Sequence, residues 1–221
     1  MRIRVLDILE QTMADGPGFR TAIYCAGCKH ACKGCHNPQS WDFNAGRWME
    51  VDDLLDLIKA DSMSNVTFSG GDPFYQVEAF TELARRIKQE TAKTIWCWTG
   101  FTLKEIQADE HLSQLLPWLD VLVDGPFILE QRDTDLLFRG SPNQRIIYLH
   151  GQPPADDIPG TVQLEPLREK LILICAANSP DSGVRSPSRV RSGTGLRRRW
   201  CLPCRSHRRW TLSDSVSRTR S

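Results

Sequence analysis

The sequence predicts an α/β fold built on a mainly parallel sheet, which we expect to curve into a small incomplete barrel. Apolar, β-branched segments alternate along the chain with segments of helical spacing, as is typical of parallel sheets. Glycine-rich turns follow three of the predicted strands, and parallel folds place ligand sites at these carboxyl ends. The order of elements therefore predicts both the fold class and the edge of the sheet that carries the site.

The first 60 residues predict two strands, a loop and a helix. Residues 2–9 alternate roughly as a strand does, and residues 19–27 are rich in β-branched and aromatic side chains. Residues 25–48 are rich in Cys, Gly and Asn, so we expect a loop wrapped around a bound group. Residues 51–60 carry leucine and isoleucine at helical spacing, which predicts the first helix.

The later elements alternate more regularly between strand and helix. Strands are predicted at residues 65–68, 94–99, 119–123 and 145–149, and helices at residues 77–90 and 103–116. The helix at 77–90 is amphipathic, and the residues on its apolar face are Phe80, Leu83, Ala84 and Ile87. Pro117 is expected to end the helix at 103–116.

The charge distribution divides the chain. Residues 176–221 hold 11 arginines, no lysine and two aspartates, a net charge of +9, which leaves −8 for residues 1–175. We expect one folded domain over residues 1–150 and an uncertain edge segment over 151–175. Residues 176–221 are expected to form a disordered tail, because their low apolar content cannot offset the entropy lost on ordering.

The composition also indicates where the protein works. No apolar run approaches the ~20 residues of a membrane helix, so a membrane protein is not expected. Asp7 and Glu10 interrupt the start of the chain where a signal peptide would be apolar, which predicts a cytoplasmic protein. Eight cysteines in a cytoplasmic chain indicate metal or redox chemistry more than disulfides.

Four of these cysteines lie close together in CAGCKHACKGCHN (25–37). Cys28, Cys32 and Cys35 form C-x3-C-x2-C, and Cys25 adds a further C-x2-C upstream. Three interpretations stay open: a closed zinc site on all four thiolates, a 4Fe–4S cluster on three that leaves one iron open, or buried structural cysteines. Lys29, Lys33 and His30 lie among the cysteines, and positive charge there is expected to lower the pKa of the thiols. Cys25 and Cys97, each in a predicted strand, are expected to pack in the core.

The cysteine spacing, followed closely by HN, resembles the cluster loop of radical S-adenosylmethionine enzymes. DGPGFR (15–20) resembles a signature of glycyl-radical-enzyme activases, and SGGDP (69–73) resembles the family's GGE-type motif with Asp72 in place of Glu. WCWTG (96–100), VLVDGPF (121–127) and RGSPNQR (139–145) match segments of the activases of class III, anaerobic ribonucleotide reductases. The resemblance covers about residues 1–150.

The resemblance implies a fold, cofactors and site residues. The fold would be an incomplete (β/α) barrel of radical S-adenosylmethionine type. The cofactors would be a 4Fe–4S cluster and S-adenosylmethionine. Metal ligation and catalysis would depend on Cys28, Cys32 and Cys35. The residues that would bind S-adenosylmethionine are Gly34, Cys35, His36, Gly70, Gly71 and Asp72. Asp72 is also suited to cap the helical stretch that follows.

The resemblance also implies a partner and an electron source. The chain would generate a glycyl radical in anaerobic ribonucleoside-triphosphate reductase, with electrons from a flavodoxin- or ferredoxin-type donor. Two alternatives remain: an activase of another glycyl-radical enzyme, such as pyruvate formate-lyase, and a non-catalytic zinc-binding module for nucleic acid. The second would draw on the basic tail, where Cys201, Cys204 and His207 lie. Chance placement explains these tail residues better, and a nucleic-acid or membrane partner is not expected.

Overall fold

The computed structural model describes residues 1–150 and 161–163. This part of the chain is a mixed α/β structure with eight strands and four α-helices. The strands are β1 (Arg2–Thr12), β2 (Arg20–Cys25), β3 (Arg47–Glu50), β4 (Asn65–Gly70), β5 (Ile95–Trp98), β6 (Val121–Asp124), β7 (Arg145–Tyr148) and β8 (Thr161–Gln163). The helices are α1 (Val51–Ala60), α2 (Val77–Glu90), α3 (Leu103–Ala108) and α4 (Glu110–Ser113). The predicted tail at 176–221 lies outside the described residues, as does most of 151–175.

The strands form one open sheet in the order β3-β1-β2-β4-β5-β6-β7-β8. Its four central strands, β2, β4, β5 and β6, are parallel. The pairing is antiparallel between β1 and β2, β1 and β3, and β6 and β7. The edge strand β8 pairs parallel with β7. The expectation of a mainly parallel sheet therefore holds for four of the seven strand pairs and fails for the other three. A short connection such as that from β1 to β2 permits only antiparallel pairing, because parallel neighbours need a long crossover.

The core lies between the sheet and helices α1 and α2. The predicted apolar face of α2 is confirmed, since Phe80, Leu83, Ala84 and Ile87 are all fully buried. Phe80 packs on Phe68 of β4 with ring centroids 4.9 Å apart. Burying a side chain of this size contributes about 1.5–3 kcal/mol, so this face holds α2 against the sheet and keeps the end of β4 in place.

Two elements differ from the sequence prediction. The helix expected over residues 103–116 is broken at Asp109, whose side chain accepts hydrogen bonds from the backbone N–H groups of His111 and Leu112 and so begins α4. The sequence does not predict strand β3, whose first two residues fall within the loop expected at 25–48. It is a mostly exposed edge strand without apolar alternation, and its pairing with β1 defines it. Within the described residues, no helix is long and apolar enough to cross a membrane.

Candidate functional site

A cavity of about 800 Å³ opens at the carboxyl ends of the central parallel strands. The loop that follows β2 supplies one wall, and the ends of β4, β5 and β6 supply the floor. The lining residues that matter for the chemistry are Cys28, Cys32, Cys35, His36, Gly70 and Gly71, together with Thr99, Gly100 and Gly125 from the next two strand ends. The predicted edge of the sheet is therefore the edge that carries the cavity.

Three of the four clustered cysteines line this cavity, and the fourth does not. Cys28, Cys32 and Cys35 are partly exposed to it and form no disulfide. Cys25 is fully buried at the end of β2 and packs in the core, as predicted. Cys97 on β5 is likewise buried in the same core. The described residues therefore do not bring four thiols to one closed site.

The three thiols that line the cavity are soft donors of the kind that hold iron–sulfur clusters. Within residues 1–150 and 161–163, no three His, Cys, Asp or Glu side chains come close enough together to hold a single metal ion. Three soft thiol donors around one roomy cavity, with a fourth thiol withdrawn into the core, fit a cluster held by three cysteines.

Burial favours the neutral thiol at Cys28 and Cys32 in the protein without iron. It raises the pKa of Cys28 to about 11, and the negative charge of Asp72 acts in the same direction. Burial also raises the pKa of Cys32. The expectation that lysines would lower these values is wrong, because the lysine side chains point elsewhere. The Lys29 ammonium lies 5.7 Å from the ring centre of Phe43, and Lys33 pairs with Glu130 at 3.3 Å.

The cluster loop, defined as residues 26–41, is shaped by local turns. The Cys35 N–H donates to the Cys32 carbonyl at 3.0 Å, which closes a turn around Gly34. Gly34 has φ +72°, and a Cβ there would lie 2.8 Å from the Leu129 side chain. His36 lines the cavity and its ring lies 5.3 Å from that of Phe127. The turn therefore places the last two cysteines of the motif on the same side of the loop, and only glycine fits at its centre.

The cluster loop rests directly on the loop that follows β4. Gly71 N–H donates to the Cys25 carbonyl at 2.7 Å, and Asp72 N–H donates to the Gly27 carbonyl at 3.0 Å. A Cβ on Gly71 would lie 2.5 Å from the Gly27 carbonyl oxygen, and one on Gly70, where φ is +100°, would lie 2.5 Å from the Cys25 nitrogen. Both glycines are required because two stretches of backbone touch here without room for a side chain.

The structure places Asp72 behind the cavity wall, although sequence analysis expected it at the cofactor. Its side chain is fully buried, and both of its oxygens accept hydrogen bonds from the protein. Oδ1 accepts from the Phe74 N–H at 3.0 Å, which confirms the expected capping role. Oδ2 accepts from the Thr99 hydroxyl at 2.8 Å and the Gly100 N–H at 2.9 Å, and it lies 2.8 Å from His30 Nε2.

The DGPGFR segment organises the opposite wall of the cavity. Arg20 is buried and donates to the Thr67 hydroxyl at 2.7 Å and the Val66 carbonyl at 2.6 Å. Burial lowers its pKa to about 10. Asp15 accepts from the Tyr24 hydroxyl at 2.7 Å, and both of these residues line the cavity. Tyr24 is not singled out by the sequence, because it belongs to no recognisable motif, and the sequence marks His30 only as one of the basic residues among the cysteines.

Alkylation of the iron-free native protein should separate the two kinds of cysteine. We expect iodoacetamide to label Cys28, Cys32 and Cys35 and to leave buried Cys25 and Cys97 unlabelled until the protein unfolds. Only the thiolate reacts, so labelling of Cys28 should rise about tenfold per pH unit until the pH approaches its raised pKa. Peptide mass spectrometry measures each site, and denatured protein, where all sites react, is the control. Labelling of Cys25 as fast as Cys28 would contradict the described burial.

Comparison with known proteins agrees with this geometry. Residues 14–147 match the family model described as "4Fe-4S single cluster domain". Proteins named "Anaerobic ribonucleoside-triphosphate reductase-activating protein" match closely. The protein from Haemophilus influenzae is 43% identical over 143 residues, which is 60% of this chain and 89% of that protein. The protein from Vibrio cholerae is 41% identical over 143 residues, 61% of this chain and 90% of that protein. The protein from Escherichia coli is 38% identical over 148 residues, 62% of this chain and 93% of that protein.

A solved structure also matches, with low structural and sequence similarity. QueE from Escherichia coli aligns with a TM-score of 0.39 and 15% identity over 56% of this chain and 70% of that chain. The sequence matches carry the assignment, because they span about nine-tenths of each relative's length. The family model spans residues 14–147, which include the cysteine loop and the strand ends that line the cavity. The chain belongs to the family of anaerobic ribonucleoside-triphosphate reductase-activating proteins, with the 4Fe–4S single cluster domain over residues 14–147.

Proposed function

We propose that this protein is an activating enzyme that generates a glycyl radical in anaerobic ribonucleoside-triphosphate reductase by reductive cleavage of S-adenosylmethionine. The observation that carries the proposal is the cavity lined by Cys28, Cys32 and Cys35 at the carboxyl ends of the parallel strands, in a chain of the activating-protein family. When bound, a reduced 4Fe–4S cluster with one open iron supplies the electron that splits the sulfonium of S-adenosylmethionine.

The residues of the chain bind, orient and shield. Cys28, Cys32 and Cys35 hold the cluster, which leaves one iron without a protein ligand for the methionine end of S-adenosylmethionine. Gly70 and Gly71 let the cofactor approach the backbone at the end of β4, and Gly34 and His36 border it from the cluster loop. Asp72 acts on the cofactor through the loop that it holds, since both of its oxygens are occupied by the protein.

The remaining parts of the proposal concern architecture and partners. The open sheet is the incomplete barrel of a radical S-adenosylmethionine enzyme, and its activity resides in residues 1–150. Residues 176–221 take no part in the chemistry. The electron donor is of flavodoxin or ferredoxin type, and the protein works in the cytoplasm. Support for placing the activity in residues 1–150 comes from the family match, which spans residues 14–147.

The function is tested by forming the radical in the reductase. We expect anaerobically reconstituted, reduced protein mixed with S-adenosylmethionine and an anaerobic ribonucleotide reductase to give an electron paramagnetic resonance (EPR) doublet, because the α-hydrogen splits a glycyl radical signal. Release of 5′-deoxyadenosine should accompany the signal.

The controls are omission of S-adenosylmethionine and a reductase whose target glycine is replaced with alanine. Neither control should show the doublet. A doublet that appears with a formate-lyase-type partner and not with the reductase would replace this proposal with the activase of another glycyl-radical enzyme.

A further inference from the structure

One buried carboxylate joins three of the segments that form the cavity. Asp72 follows β4, and its Oδ2 lies 2.8 Å from Nε2 of His30, which stands between Cys28 and Cys32 in the cluster loop. The same oxygen accepts from the hydroxyl of Thr99 and from the N–H of Gly100, both of which follow β5. In the tautomer that carries its proton on Nε2, the His30 ring donates to this oxygen across the cavity wall.

The His30 ring is packed as well as hydrogen-bonded. Its side chain is 16% exposed, it meets the Phe101 ring edge-on at 4.5 Å, and it lies 5.6 Å from the ring of Tyr75. A Cβ on Gly100 would lie 2.4 Å from the His30 ring. Gly100 does not have a positive φ, so the close approach of the imidazole is what excludes a side chain there.

We propose that His30 and Asp72 form a brace that positions the cluster loop over the ends of β4 and β5. His30 and Asp72 are positioning residues that act through the cysteines and glycines beside them. The inference rests on the proposed function, because it concerns how the chain holds the cluster relative to residues 70–72, which follow β4 and are here called the cofactor loop.

The brace has a direct geometric consequence for the cavity. The thiols lie on the cluster loop, whereas Gly70, Gly71, Thr99 and Gly100 line the cavity from the two strand ends. Backbone hydrogen bonds from Gly71 to Cys25 and from Asp72 to Gly27 hold the start of the cluster loop. The His30 contact is 2.8 Å long and lies further along the loop, between two of the ligands. It therefore sets how far the thiols stand from the cofactor loop.

The test compares variants that differ in the reach of one donor. His30→Gln can place its amide nitrogen where Nε2 lies, and His30→Asn, which is shorter, cannot. Each variant is reconstituted anaerobically as the full chain. Three properties are measured: the rate of iron loss to the chelator bathophenanthroline, the change in the EPR spectrum of the reduced cluster on adding S-adenosylmethionine, and the affinity for S-adenosylmethionine. His111→Asn, on exposed α4, is the matched control.

We expect His30→Asn to lose iron about tenfold faster than wild type and to bind S-adenosylmethionine about tenfold more weakly, because mutating the residues that orient metal ligands commonly costs this much. The EPR change on adding S-adenosylmethionine should also differ from that of wild type. His30→Gln should recover most of each property, and His111→Asn should match wild type. Gly100→Ala should behave like His30→Asn, yet it should add less than about twofold when His30 is already alanine, since the clash is then gone.

The outcomes separate the brace from the proposed function. His30→Asn equal to wild type, or no better recovery in His30→Gln than in His30→Asn, would overturn the brace even if wild type cleaves S-adenosylmethionine. Full additivity of Gly100→Ala and His30→Ala would overturn it as well. A wild-type protein that holds iron without cleaving S-adenosylmethionine contradicts the proposed function. The iron-loss rates of the variants relative to wild type still test the brace in that case. Wild type that takes up no iron overturns both.

Discussion

Replacing any one of Cys28, Cys32 and Cys35 with alanine is expected to abolish the iron–sulfur cluster. Each thiol lines the same cavity, and a cluster that already has one open iron cannot lose a second protein ligand and remain bound. Anaerobically reconstituted wild type should hold roughly four irons and four sulfides per chain with a broad brown absorbance. Each variant should show almost none, measured by iron and sulfide analysis and by the absorption spectrum.

Cys25→Ala is the matched control for these variants. Cys25 lies in the same short segment but packs in the core, so its loss should leave most of the iron in place. Removing a buried thiol should lower the free energy of unfolding by about 1 kcal/mol, because its contribution is that of a small apolar side chain. If Cys25→Ala abolished the cluster and Cys28→Ala retained it, the assignment of ligands would be wrong.

Gly71→Val is expected to weaken the binding of S-adenosylmethionine. A Cβ at this position would lie 2.5 Å from the Gly27 carbonyl oxygen and 2.9 Å from that of Ser40. Both are backbone atoms, so the cluster loop must move away from the end of β4 to admit the side chain. Overpacking of this kind costs about 1–3 kcal/mol of stability. We expect the affinity for S-adenosylmethionine to fall by about tenfold or more, measured by equilibrium binding to the reconstituted protein.

The comparison that isolates crowding uses Gly71→Ala and Gly18→Ala. Gly18 has φ +70° and open space around the position of a Cβ, so its substitution costs about 1 kcal/mol from backbone strain but displaces nothing. Gly71→Ala carries no left-handed strain and has the clash instead. Cofactor affinity should therefore fall in Gly71→Ala and stay near wild type in Gly18→Ala. Unchanged binding in Gly71→Val would remove the loop at 70–72 from the site.

Much of the site was readable from local spacing. The C-x3-C-x2-C pattern identified the three cysteines that the structure brings to one cavity, and the position of Cys25 in a strand indicated that it packs in the core. The glycines after β4 were expected at the cofactor, and Gly70 and Gly71 line the cavity. The cysteine pattern is readable because it depends on neighbours within a few residues, where spacing and side-chain type determine the geometry. The contact of Gly70 and Gly71 with the cluster loop is long-range and is seen only in the fold.

Other features depend on partners far apart in the chain. Strand β3 has no apolar alternation of its own, and only its pairing with β1 makes it a strand. The antiparallel strand pairs were missed for the same reason, because each strand's direction depends on the neighbour it meets. The break in the helix expected at 103–116 follows from the Asp109 cap, which competes with continued helical hydrogen bonding.

By itself the sequence determined the α/β class, the family, the three cysteines that line one cavity and the edge of the sheet where that cavity lies. Only the tertiary structure decided what Asp72 and His30 do. They are 42 residues apart in sequence, and the hydrogen bond between them forms only because β2 and β4 are parallel neighbours that end at the same level. A buried carboxylate must satisfy its oxygens with whatever donors the fold brings to it, and here those donors are His30, Thr99 and the backbone of Phe74 and Gly100.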